Sequence, residues 1–346
     1  MSAKKVINMD LDERKKKILS SVVEDYIISA EPVGSKTIVD KYNLEYSSAT
    51  IRNEMKQLEE SGYLEQPHIS AGRVPSTKGY RYYVDNLMHE KKLSMLDINY
   101  MNNSITGYGD IEGLFEQAAD TVSKILNRPT ILTVTNTDVL ETIKILRISD
   151  SLLLIILLSH NGIVKDCVAK LTNTIPDDTV DELTRMLNVN LKGTPIENLY
   201  YVLNSIIEKQ LKSFSFVLNQ ICESIKYEII KENKNVKSNV ESILNLPEFS
   251  DVEKAKDFVN MLSTKSIIDS AIENISNNQL GILIGSENKE IMLKDYSIIS
   301  LNVLDKDNVK ANLSVISPKR LDYSKTVSTL KFINDKFKNI FLKPKG

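Results

Sequence analysis

Residues 47–61 read SSATIRNEMKQLEES, and this stretch decides how the N-terminal part of the chain is built. Ile51, Met55 and Leu58 fall at i, i+4 and i+7, which is one stripe of an α-helix. Ser47 or Ser48 offers an N-cap hydroxyl to the free backbone N–H groups of the first turn, and Gly62 stands where a helix-ending glycine belongs. At about 100° per residue the opposite side carries Ala49, Asn53, Lys56 and Glu60, with Thr50, Arg52 and Gln57 on its flanks. Small, hydroxyl, amide and cationic groups near the start of a helix suit entry into a DNA major groove. An ordinary surface helix has the same stripe, so the neighbouring residues must decide.

Upstream, Leu11 to Ser29 predicts a helix with Ile18, Val22 and Tyr26 on one face. Glu31-Pro32-Val33-Gly34 breaks it. Ser35 to Tyr42 is a second, short helix, so the order is that of a helix-turn-helix. Downstream, Tyr63 to Pro67 is strand-like, Gly72 marks a turn and Val74 a return strand: a hairpin, or wing, directly after the recognition helix. Ser76 caps a further helix, Thr77 to about Met88, with Tyr80, Val84 and Leu87 as its packing stripe.

Bulk charge does not carry a nucleic-acid reading. The 346 residues have a net charge of −2, and residues 1–90 hold 13 Lys and Arg against 14 Asp and Glu. The reading rests on placement. Ser48, Ala49, Thr50, Asn53 and Lys56 are the base-edge candidates: Ala49 for a thymine methyl, Asn53 for a bidentate contact to adenine. Arg52, Lys36, Lys78 and Arg81 are the phosphate candidates. In the wing, His68 is a phosphate or local packing residue, and Arg73 is expected to reach a minor groove or its backbone.

The series ATIRNEM, LE, GYLEQPH, SAGR, P and GYR followed by YV, within residues 49–84, resembles the N-terminal winged-helix domain of the heat-inducible transcription repressor HrcA family. Ser314 to Ile333, SVISPKRLDYSKTVSTLKFI, is similar to the family's closing segment. The resemblance implies an α+β multidomain protein: an N-terminal winged helix-turn-helix, then a GAF-like α/β domain with an inserted dimerisation domain. The expected boundaries are 1–90 for the winged helix, 91–109 for a linker, 110–139 and 214–346 for the GAF-like part, and 140–213 for the insertion. It further implies a homodimer on double-stranded DNA carrying the CIRCE inverted repeat upstream of the chaperone genes groE and dnaK, with repression modulated by the GroEL chaperonin. The alternative is a ligand-responsive winged-helix regulator sensing a metabolite through the GAF-like domain. A protein–protein module without an operator is a further possibility.

The rest of the sequence supports an α+β reading and offers no enzyme. Ile111 to Asn127 is helical, and Thr130 to Thr135, Ile143 to Ile148, Leu152 to Leu158 and Ile163 to Leu171 are strand-like. Helices follow over Pro176 to Val189, Pro195 to Glu232 and Ser250 to Leu262, then strands over Leu280 to Ile284, Tyr296 to Val303 and Ala311 to Ile316, and a last helix that Ser324 caps. His68, His89 and His160 are scattered, and Cys167 and Cys222 form no CxxC pair, so neither a metal nor a cofactor is expected. Gly281 to Ser286 lacks phosphate-loop spacing and reads as a strand and its turn; Asp177-Asp178 suit a helix N-terminus. Pro318-Lys319-Arg320 reads as a solvated loop. MSAKKVINMD has no apolar signal core, and the run Leu152–Leu158 is too short to span a bilayer. A cytoplasmic protein without a membrane partner is expected.

Overall fold

Local capping chemistry sets several helix starts. Asp12 opens α1 (Glu13–Ser29) by accepting the Lys15 backbone N–H at 2.8 Å, and Ala30 closes it in the left-handed region with φ 60°. α2 (Ser35–Tyr42) follows the Pro32–Gly34 break, and α3 (Ser48–Glu60) starts where Ser47 Oγ accepts the Thr50 N–H at 3.1 Å. Ile51, Met55 and Leu58 of α3 are all buried. A two-stranded antiparallel hairpin, β1 (Leu64–Glu65) and β2 (Val74–Pro75), comes next, and a bridge between Val33 and Arg73 adds a third backbone segment beside it. α4 (Thr77–Tyr82) then runs into a π turn over Tyr83–Leu87, closed by Met88 N–H to Tyr83 O at 2.8 Å. The extra residue in that turn changes the buried set. Tyr80, Tyr82 and Tyr83 are buried, whereas Val84 and Leu87 are half-buried. α1 to α4 with the hairpin are called the head below.

The computed structural model describes residues 11–42, 45–106, 111–136, 139–160, 162, 164–210, 215–232, 235–264, 280–304 and 309–342. The sequence turn at Asn43-Leu44 and the Gly107–Gly109 cluster lie outside them. α5 (Met95–Ser104) and α6 (Ile111–Leu126) lead to β3 (Thr130–Asn136). Three strands follow: β4 (Leu140–Ser149), β5 (Leu152–Ser159) and β6 (Val164–Lys170). Then come α7 (Asp177–Leu191), α8 (Leu199–Gln210), α9 (Ser215–Glu232), β7 (Asn235–Ser238) and α10 (Val252–Ser263). β8 (Leu280–Ile284), β9 (Tyr296–Leu304), β10 (Val309–Pro318) and α11 (Tyr323–Leu342) complete the order. Among the described residues two sheets form besides the hairpin: β7-β3-β10-β9-β8 and β4-β5-β6. Two expected caps shift by a residue or two. Asp251, not Ser250, caps α10, and Asp322 accepts the Lys325 N–H at 2.9 Å while Ser324 donates its hydroxyl to His89 O.

The chain divides into two compact units. The first comprises Met1–Ile131, Lys237–Leu301 and Ser314–Phe337. Its core includes Phe249, Phe258, Ile298 and Ile316, and Phe115 of α6 meets Phe337 of α11 edge-on at 5.2 Å. Arg320, expected in a solvated loop, is buried here. Its guanidinium forks onto Glu248 at 2.5 and 3.0 Å and donates to Ile27 O at 2.7 Å, a free carbonyl near the end of α1.

The second unit comprises Leu132–Val236, Asn302–Leu313 and Lys338–Gly346. Here β5 pairs antiparallel with both β4 and β6, and alternate residues separate the two faces of the sheet. Ile145, Leu153, Ile155 and Leu157 join Leu187, Leu203 and Ile221 of the helices in one core. Asn188 stitches α7 to β4: its Oδ1 accepts the Ile143 N–H at 2.9 Å and its Nδ2 donates to Ile143 O at 2.7 Å. On the other face Leu146, Ile148, Val164 and Val168 are exposed. Cys167 and Cys222 are not joined to each other, and burial pushes the Cys222 thiol up to about 11. Cys222 is expected to resist a thiol reagent at pH 8 in the native protein and to react only after denaturation. Rapid native labelling of Cys222 would show that the core of this unit opens.

Candidate nucleic-acid interface

α3 is fixed from its inner side, which leaves its outer side available. Besides the apolar stripe, the buried carboxylate of Glu54 forms ion pairs with Arg14 and Lys15 of α1, both at 3.1 Å. Sequence reading passed over Glu54; its signal is its place at i+3 from Ile51, on the edge of the buried stripe. Ala49, Arg52, Asn53 and Lys56 are exposed. Arg52, Asn53 and Lys36 of α2 have no ion-pair or side-chain hydrogen-bond partner among the described residues. Lys56 is only loosely held, 3.7 Å from exposed Glu60.

The first turn is more constrained. Ser48 Oγ lies 3.0 Å from Ser35 Oγ, tying the start of α3 to the start of α2. Thr50 Oγ1 lies 2.9 Å from the capping Ser47 hydroxyl. Both hydroxyls can still rotate to serve a second partner.

The cations of the hairpin and of α4 are committed to holding the fold. Arg73 Nε donates to Glu59 of α3 at 2.8 Å, and the Arg73 backbone exchanges hydrogen bonds with Val33 at 2.8 and 2.9 Å. The guanidinium thus clamps the hairpin to α3. Lys78 donates to Ser61 O at 2.9 Å with its ammonium 4.1 Å from the Tyr63 ring centre, at the C-terminal end of α3. Arg81 is bound by Glu287 at 2.7 and 2.5 Å, by Ile282 O at 2.8 Å and by Asp85 at 3.1 Å. Hydrogen bonding to Glu287 pushes its already high pKa further up, against the opposing effect of burial. His68 is exposed, and its carbonyl accepts the Ala71 N–H at 2.9 Å. A cleft of about 310 Å³ separates the hairpin from α3 and the start of α2, with Ser35, Arg52, Gln66 and Gly72 among its walls.

The arrangement is therefore an exposed helix face with an amide and two or three cations, next to a braced hairpin. Among the described residues no group of three or more His, Cys, Asp or Glu could hold a metal ion, and no helix is long and apolar enough to cross a membrane.

The family model described as HrcA protein C terminal domain matches residues 112–327. The chain belongs to the HrcA family. Similarity to HrcA proteins extends beyond that segment and through the head. A heat-inducible transcription repressor HrcA of Thermoanaerobacter pseudethanolicus is 34% identical over 344 residues, covering 96% of this chain and 97% of the relative. That of Ruminiclostridium cellulolyticum is 36% identical over 345 residues, covering 97% and 99%. Among solved structures, a hypothetical protein determined at 2.2 Å matches with a TM-score of 0.59 and 20% identity over 96% of this chain and 99% of that one. It supports the HrcA-family chain's fold alone.

Proposed function

We propose that this chain is a dimeric, DNA-binding transcriptional repressor of heat-shock genes, acting in the cytoplasm on the CIRCE inverted repeat and modulated by the GroEL chaperonin. The observation that carries the reading is the outer face of α3. Ala49, Arg52, Asn53 and Lys56 stand exposed on a helix whose inner side is fully anchored, in a chain related over nearly its whole length to repressors. On this reading the head is a winged helix and α3 enters the major groove. Ala49 and Asn53 face base edges, Ser48, Thr50 and Lys56 lie close by, and Arg52 and Lys36 neutralise phosphates. His68 approaches the backbone from the wing. Lys78, Arg73 and Arg81 act mainly through the contacts that hold the head in shape.

One head reads few base pairs, so an inverted repeat needs two. The exposed Leu146, Ile148, Val164 and Val168 supply an apolar face for joining two copies through an inserted dimerisation domain over residues 140–213. Strands β8, β9 and β10 with α6 and α11 correspond on this reading to the GAF-like part. Repression follows from occupancy: a bound dimer obstructs transcription, and the folded dimer population sets occupancy.

A footprint of purified protein over the upstream region of its own organism's chaperone operons, with and without chaperonin, tests the reading. Protection of an inverted repeat that strengthens with chaperonin is expected; equal affinity for scrambled duplex would end it. At residue level, Asn53→Ala is expected to narrow the gap between operator and scrambled duplex by about 1–3 kcal/mol. Arg52→Ala should instead weaken both alike and lower the slope of log K against log salt by about one. A salt titration of both variants separates the two roles.

A further inference from the structure

We infer that Ile69, at the tip of the hairpin, is an apolar wedge for the minor groove of the DNA flanking the α3 contact; this rests on the DNA-binding reading above. Ile69 is 100% exposed. Isolated apolar residues are common on protein surfaces; what sets Ile69 apart is its place, fully exposed at the turn of a hairpin braced against α3. The tip is also built to hold it there. The Gln66 side-chain amide donates to both Ile69 O, at 2.9 Å, and Ala71 O, at 3.0 Å. Ala71 N–H closes the turn onto His68 O at 2.9 Å. Gly72 seats the base of the loop so tightly that a Cβ there would lie 2.4 Å from Val33 O. The ordering cost of this loop is therefore met before any ligand arrives.

Charge and chemistry select the occupant. Residues 66–73 read QPHISAGR and contain no acid, so nothing in the tip repels a polyanion. The one cation that could have reached out, Arg73, is engaged by Glu59. What the hairpin presents beyond its base is thus an aliphatic residue between His68 and Ser70, at the rim of the cleft that it lines together with Arg52. Minor-groove proteins use apolar side chains in this way, against deoxyribose and into flexible base steps. The ligand class is a duplex with a deformable pyrimidine–purine step next to the half-site, read by shape rather than by hydrogen bonds.

The test compares full-length protein with Ile69→Ser and Ile69→Leu on operator duplex, measuring affinity, salt slope and mass in solution. Ile69→Ser is expected to bind about 5–30-fold more weakly with an unchanged salt slope, and Ile69→Leu within about threefold of the parent. Inosine in place of guanine in the flanking step removes the 2-amino group from the minor groove and leaves the major-groove edge unchanged; it should change parental affinity more than that of Ile69→Ser. Equal affinity of parent and Ile69→Ser overturns the wedge while leaving the repressor reading intact. So does a loss of affinity in Ile69→Ser that is matched by dissociation to monomers. Failure of the parent itself to prefer operator DNA is failure of the underlying reading, and the wedge falls with it.

Discussion

Gly79→Ala is expected to destabilise the head strongly. A Cβ on Gly79 would sit 2.1 Å from the Tyr63 carbonyl oxygen and 3.1 Å from its carbon. The obstruction is backbone, and it is held from several sides. Tyr63 O accepts the Ser76 N–H at 3.1 Å, and Tyr63 N–H donates to Leu58 O at 2.8 Å. Ser76 Oγ accepts the Gly79 N–H at 3.0 Å and donates to Gly62 O at 2.6 Å. To admit a methyl group, α4 must withdraw by about 1 Å from the hairpin, which breaks this set together and uncovers Tyr80 and Tyr82. The cost is about 3 kcal/mol or more, in the upper range for overpacking. Gly62→Ala is the matched control. Its φ of 79° is left-handed, but no atom lies within 4 Å of the new Cβ, so only the conformational cost of about 1 kcal/mol applies. Urea melts of both variants check the pair: similar midpoints would mean that α4 and the hairpin pack far more loosely.

The second large effect is expected at Glu287. Its carboxylate takes both Nε and Nη2 of Arg81 and also accepts the Ile284 backbone N–H at 2.8 Å. Each side chain of the pair keeps 28% of its surface exposed, so solvent moderates the charges without removing them. Glu287→Ala leaves a guanidinium against Ile282 O without its main counter-charge, and an unpaired N–H at Ile284. We expect a loss of about 2–3 kcal/mol, below the range for a fully buried pair. Arg81→Ala should cost a similar amount. The double variant should cost less than the two together by at least about 1 kcal/mol, because the second removal no longer strands a charge. Arg81→Lys should not rescue, since an ammonium cannot fork onto both oxygens. Additive losses in this double-mutant cycle would show that the two side chains act separately.

These residues mark where the sequence was legible and where it was not. α3 could be read because its stripe is periodic and its end is a glycine; the hairpin, because Gly72 and Pro75 punctuate it. The strands over 130–171 were legible from their short β-branched and leucine runs, although nothing local tells that β3 belongs to a different sheet from β4–β6. The cations were the obscure part. Arg52, Arg73, Arg81 and Arg320 are the same residue type, and sequence spacing does not reveal which will meet water. Glu59 lies 14 positions from Arg73, Glu287 lies 206 from Arg81, and Glu248 lies 72 from Arg320. Only the completed tertiary packing brings these charges together. The π turn after α4 was hidden for a related reason: one added residue shifts the buried face, and a fixed helical period cannot register it.

The bond from Arg320 to Ile27 O has a consequence for synthesis on the ribosome. The two residues are 293 positions apart, and Arg81 waits 206 positions for Glu287. At ordinary elongation rates the head emerges roughly 10–60 s before these partners exist. During that interval the end of α1 lacks its late clamp, and Arg81 has Asp85 but lacks its main counter-charge, Glu287. A nascent chain of this protein thus passes through a prolonged unfinished stage, and its yield of native molecules depends on how that interval is survived.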